Sequence, residues 1–194
     1  GIALKKWPCY NGSQRGIHAV LQLRERLGFD ARTLERLECR MPPGGMKVVI
    51  YPRPQTGVEG KFSLQYVLAA GVLDGQYGLS TFSDTAVRRP EIAALYERID
   101  AHEDARCGAG DPHLASRPGG ARGFVEVEVR LKDGRSDVVR VDAAPGHPRH
   151  PLSWSDIEQK FMDCAAHGHT EARDAAQAFS ALRRLEECRD LGTI

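Results

Sequence analysis

One stretch leaves this chain very little freedom: Lys61-Phe62-Ser63-Leu64-Gln65-Tyr66-Val67-Leu68-Ala69-Ala70-Gly71-Val72-Leu73-Asp74-Gly75. Phe62, Tyr66, Ala69 and Leu73 recur at spacings of four, three and four, which is one face of a helix. Leu64, Val67, Leu68 and Val72 cover the other sides, so the helix is apolar nearly all round. A helix with no face to offer water belongs in the middle of a domain. Ser63, Gln65 and Tyr66 then need partners inside it. Asp74-Gly75 closes the segment, with the glycine placed for a left-handed cap. Taken alone, Tyr66 reads as a core tyrosine whose hydroxyl is satisfied.

The 194 residues suffice for one good core, or for one domain with an appendage. Charged residues make up 27% and the formal net charge is +1, so no strong field draws the chain to nucleic acid or to a membrane. No apolar run approaches a membrane span. The start, Gly1 to Lys6, has neither an h-region nor a cleavage site, and it lacks an initiator Met. It reads as the cut edge of a longer chain. Cys9, Cys39, Cys107, Cys164 and Cys188 are scattered, with no Cys-x-x-Cys pair. Reduced thiols in a cytoplasmic protein fit them best, and they offer no place for zinc or an iron–sulfur cluster.

Pro8 pushes Trp7 away from helical angles, so Lys5 to Tyr10 reads as an extended entry. A helix follows to Leu27, stopped by Gly28. Leu37, Cys39 and Met41 alternate with Glu38 and Arg40 as in a half-buried strand, and Val48 to Tyr51 reads as another. Pro52 to Gly57 is a loop, in which Arg53 is a weak candidate for a carboxylate partner. Leu79 to Asp84 leads into a short helix, Pro90 opens the next, and Ile99 to Asp104 has strand character. Cys107 to Gly123 is a surface loop whose Asp111-Pro112-His113 triplet reads as plain loop. Val125, Val127, Val129 and Leu131 alternate with charges up to the Asp133-Gly134 turn, and Val139 and Val141 begin the return strand. His147 and His150 sit in a Pro-rich linker without a third ligand and read as solvated, as do His167 and His169. Ser153 caps one helix with Asp156 three later, and Thr170 caps a last helix running to Asp190. Strands in a hairpin and helices in separate runs predict an α+β fold: a small antiparallel sheet packed with helices over residues 1–150, then a C-terminal helical pair over 151–194.

Lys61-Phe62-Ser63-Leu64-Gln65-Tyr66 with the small-residue helix and Leu73-Asp74-Gly75 resembles the C-terminal half of the 2-methylcitrate dehydratase (MmgE/PrpD) family. So does the entry Gly146-His147-Pro148-Arg149-His150-Pro151-Leu152-Ser153 followed by Lys160-Phe161. The resemblance implies a lid-type domain that covers the substrate of a cofactor-independent lyase or isomerase acting on a small polycarboxylate. It also implies a Lys-x-aromatic motif before the first helix, filled here by Lys5 and Trp7, with Lys6 as rival. The tyrosine reaching the active site would be Tyr66. Relatives place histidines three and seven residues after the aromatic, where this chain has Tyr10 and Gln14; a further one falls at Gly12. Lys5 and Tyr66 are thus the expected catalytic pair, with Lys6, Tyr10 and Gln14 as substrate-binding candidates.

A lysine would neutralise a carboxylate and a developing enolate charge, and a phenol would donate to that charge or hand over a proton. The family's principal catalytic histidines lie in an N-terminal helical domain that these residues lack. The expected partners are therefore that domain, a second copy in a dimer, and the polycarboxylate, with no metal and no cofactor. Alone, the chain is expected to be inactive. The alternatives are a non-catalytic binding or assembly module that keeps the fold, and an isomerase or epimerase of the same family.

Overall fold

The computed structural model of the chain describes residues 2–112, 116 and 121–187. These fall into two compact units, Gly1–Pro151 and Leu152–Ile194.

In the first unit the apolar central stretch is divided. Helix α2 (Gly57–Lys61) starts at Thr56, whose hydroxyl accepts from the Glu59 N–H at 3.2 Å. Phe62 ends it, and Ser63 turns extended to cap α3 (Leu64–Asp74), accepting from the Tyr66 N–H at 3.1 Å. A hydroxyl that can hold a helix N-terminus wins over continuation of the helix, so Phe62 sits at the joint and not on the helical face. Leu64 and Tyr66 to Val72 are all buried, as an all-apolar helix demands. Gly75 closes it at φ 69°, its N–H bonded to the Gly71 carbonyl at 3.1 Å.

Helix α1 (Gln14–Leu27) lies against α3 and ends at Gly28, φ 64°. Gly71 permits the approach: a Cβ there would meet the Tyr77 hydroxyl and lie 2.5 Å from Val20 Cγ1. Arg24 donates to the Val72 carbonyl and the Tyr77 hydroxyl to the Val67 carbonyl.

The sheet has the order β2-β1-β3-β4, from β1 (Leu34–Met41), β2 (Ile99–Glu103), β3 (Val125–Leu131) and β4 (Ser136–Val141). Leu37, Cys39, Met41, Val125, Val127, Val129, Leu131, Val139 and Val141 all face the core. The two alternating hairpin strands pair as expected, Val127 opposite Val139. The α+β class stands, but the sheet is mixed: β1 runs antiparallel to β3 and parallel to β2. Parallel strands need a long crossover, and here it comprises α2, α3, α4 (Asp84–Val87) and α5 (Pro90–Leu95).

On the polar face Arg40 lies beneath three carboxylates, Glu38 at 2.7 Å, Glu126 at 2.9 Å and Glu128 at 2.8 Å. Val48 to Tyr51 is not a strand. After the 3-10 turn Gly45–Lys47 the chain runs on with only Val49 buried and with Ile50 and Tyr51 exposed. Both edges of β1 are already occupied by β2 and β3, and Pro52 interrupts the segment.

The second unit is a helical pair. Helix α6 (Trp154–His167) opens with a full capping box between Ser153 and Asp156. Helix α7 (Ala172–Leu182) starts after Glu171, without a side-chain cap. Thr170 does not cap it. Its N–H closes α6 by bonding to the Ala165 carbonyl at 2.9 Å, one residue after His169 at φ 60°. Phe179 packs on Phe161 and Trp154, ring centroids 5.4 and 6.4 Å away, while Leu182 and Leu185 are exposed. The expected continuation to Asp190 lies outside the described residues, as does His113. Among the described residues no helix is long and apolar enough to cross a membrane.

Candidate functional site

The first unit holds a cavity of about 500 Å³ where the N-terminus of α1 meets the end of β4. The chain closes it in three layers. The entry segment supplies Ala3, Leu4 and Lys5, and the Leu4 N–H bonds to the Gly146 carbonyl at 2.9 Å. The turn after β4 supplies Asp142 to His147 and Arg149, folded by Gly146 at φ 89°. Gln14 and Arg15, opening α1, form a further wall with Asn11, Ala121 and Gly123.

Arg15 is only 4% exposed. Its Nη1 donates to the carbonyls of Arg122 and Gly123, both at 2.8 Å. Burial lowers its pKa to about 10, countered by the nearby Asp142 carboxylate, so it stays charged at neutral pH. Asp142 is itself bonded to Arg140 at 2.8 Å, which holds its carboxyl below the usual range. Lys5, Arg15 and Arg149 thus face one carboxylate across the cavity. This excess of positive charge, with Arg15 buried and Lys5 and Arg149 exposed, suits an anionic ligand.

Of the five expected site residues, Lys5 and Gln14 line this cavity. The Gln14 amide clasps the entry segment: it accepts from the Trp7 N–H at 3.1 Å and donates to the Trp7 carbonyl at 3.0 Å and to Cys9 Sγ at 3.3 Å. Lys6 stands over the Trp7 ring, Nζ 5.6 Å from its centroid. Tyr10 is half-buried, its N–H bonded to the Lys61 carbonyl at 3.0 Å and its ring 6.3 Å from Phe62. Tyr66 is fully buried. Its hydroxyl donates to the Thr81 carbonyl, its ring meets Phe82 edge-on at 6.0 Å, and burial raises its pKa to about 12. Lys6, Tyr10 and Tyr66 are not part of the cavity lining. Arg53 pairs with Glu97 across the exposed surface.

Neither Arg15 nor Arg149 stands out in the sequence, where each resembles an ordinary surface cation. Burial raises the Cys9 and Cys39 thiols to about 12, which makes them poor nucleophiles. His18 meets His150 at 5.5 Å between ring centroids, and burial lowers its pKa to about 4.

Across its whole length the chain is 26% identical over 200 residues to cis-aconitate decarboxylase of Mus musculus and 26% identical over 204 residues to that of Homo sapiens. It spans 38% and 39% of those two proteins. The model of the MmgE/PrpD C-terminal domain matches residues 7–184, which takes in the cavity wall from Asn11 to Arg149, the central helix and the helical pair. With nearly the whole described chain accounted for in this way, the chain belongs to the MmgE/PrpD C-terminal domain family.

Proposed function

We propose that the chain is the substrate-covering domain of a cofactor-independent lyase acting on a small polycarboxylate, with an N-terminal helical domain completing the site. The observation that carries this reading is the cationic cavity, in which Lys5, Arg15 and Arg149 oppose the single carboxylate of Asp142. A polycarboxylate brings several charges that must be neutralised before a proton can leave the carbon beside one of them. Arg15, buried and already oriented by two carbonyls, is suited to hold a carboxylate with little further ordering. Lys5 supplies a mobile charge for the enolate-like state. Tyr66, although outside the lining of this cavity, is the proton donor in this reading. Its raised pKa keeps the phenol protonated, and its hydroxyl must exchange the Thr81 carbonyl for substrate. Lys6, Tyr10 and Gln14 are the further substrate-binding candidates of this reading, and of the three Gln14 lines the cavity.

The test uses the complete protein and a panel of di- and tricarboxylates. Turnover of at least one member is expected. Lys5→Ala should lower kcat, and Arg15→Gln should raise KM at least tenfold. This chain alone should show none of the activity. If the complete protein turns over no polycarboxylate, the lyase reading fails. A second reading, a binding or assembly module without chemistry, is favoured by one observation: the Gln14 amide and the Tyr66 hydroxyl both hold the fold together. Binding of polycarboxylates without turnover would select it. An epimerase would reveal itself by racemising a chiral member of the panel without changing its mass.

A further inference from the structure

On the polar face of the sheet, remote in chemistry from the cavity, Glu38, Asp100 and His102 converge. Each offers one ligand atom, and all three atoms lie within 4.8 Å of one another. The convergence follows from register. Glu38 on β1 is paired directly with Asp100 on β2, and His102 follows two residues later on the same face. The His102 ring stands between the two acids, Nε2 3.5 Å from Glu38 Oε1 and Nδ1 3.6 Å from Asp100 Oδ1. Each carboxylate is steadied by an arginine, Glu38 by Arg40 at 2.7 Å and Asp100 by Arg36 at 3.1 Å.

From this arrangement we propose that Glu38, Asp100 and His102 form a site for a divalent transition-metal ion such as zinc, which ties edge strand β2 to β1. Two independent features support it. The first is ligand type: one imidazole with two carboxylates is a donor set that zinc and its neighbours accept, whereas magnesium has little use for the nitrogen. The second is register: direct pairing of Glu38 with Asp100 on neighbouring strands sets the two carboxylates side by side on one face. Arg40 bonds both oxygens of Glu38, Oε1 at 3.1 Å and Oε2 at 2.7 Å, so a bound ion shares Oε1 with it, while Arg36 holds Asp100 by Oδ2 and leaves Oδ1 toward His102. The 3.5 Å spacing of nitrogen and oxygen is near the ~3.3 Å separating two ligands of one tetrahedral zinc with bonds of about 2.0 Å. One ring nitrogen of His102 would bind the ion, with Glu38, Asp100 and a solvent ligand as the other donors at this half-exposed position. This inference does not rest on the lyase reading.

The chain as it stands, stripped of metal with a chelator, is titrated with zinc by calorimetry, with magnesium as control. One saturable zinc equivalent is expected, and none for magnesium. His102→Ala should weaken that equivalent at least tenfold, and Asp100→Asn should weaken it likewise. Hydrogen exchange should show slower exchange of the Ile99–Glu103 amides on addition of zinc. His102 is half-exposed, so circular dichroism of His102→Ala should match the parent. Absence of a saturable equivalent, an unchanged affinity in His102→Ala, or zinc protection confined to other segments overturns the proposal.

Discussion

At the level of single residues, environment decides role more than identity does. His18 is held neutral: burial against α1's surroundings, with His150 and Lys6 near, lowers its pKa to about 4 from an ordinary value of about 6.5. Between those two values the unfolded chain binds the proton and the folded chain does not. Stability from this residue is therefore full above about 6.5 and falls as pH drops toward about 4. Urea denaturation at neutral pH and near pH 5 should show a loss for the parent that is smaller in His18→Gln. Lys5 was a site candidate only through the family resemblance, which supplies the Lys-x-aromatic motif; two lysines beside an aromatic otherwise read as a solvated edge. Arg15 was not, because the second residue of a helix is normally wet and nothing local says that residues 122 and 123 will fold over it. Gln14 was legible as a position but not as a clasp, since its partners Trp7 and Cys9 are reached only when the chain doubles back.

Among the elements, the helices and the hairpin were readable from periodicity, because each buries one face within its own span. What escaped was decided between segments. The run Val48 to Tyr51 has strand composition but no free edge of β1 to join. The parallel pairing of β2 was invisible because both strands look alike whichever way they run. The split of the central stretch at Ser63 depended on one hydroxyl winning over helix continuation. The contact of α1 with α3 hinges on Gly71, so Gly71→Ala should cost about 1–3 kcal/mol, the range for overpacking a tight core. Chemical denaturation measures this. A cost below ~0.5 kcal/mol would mean that α1 moves aside freely.

For the whole molecule, the buried apolar cluster runs from Trp7 to Val141 and, among the described residues, all its members belong to the first unit. A chain ending at Pro151 should therefore unfold in one cooperative transition, read by circular dichroism and by the fluorescence of Trp7. A broad, non-cooperative transition would show that the helical pair is needed for the core to form. The sheet order carries one more consequence. β1 is an inner strand, yet its partners are made late: β1 ends at Met41, β2 begins only at Ile99, and β3 only at Val125. During synthesis β1 thus waits on the ribosome with both edges bare until most of the first unit has emerged. A nascent chain of this design is most vulnerable to wrong pairing in that interval, and a chaperone that shields extended segments would act on it then.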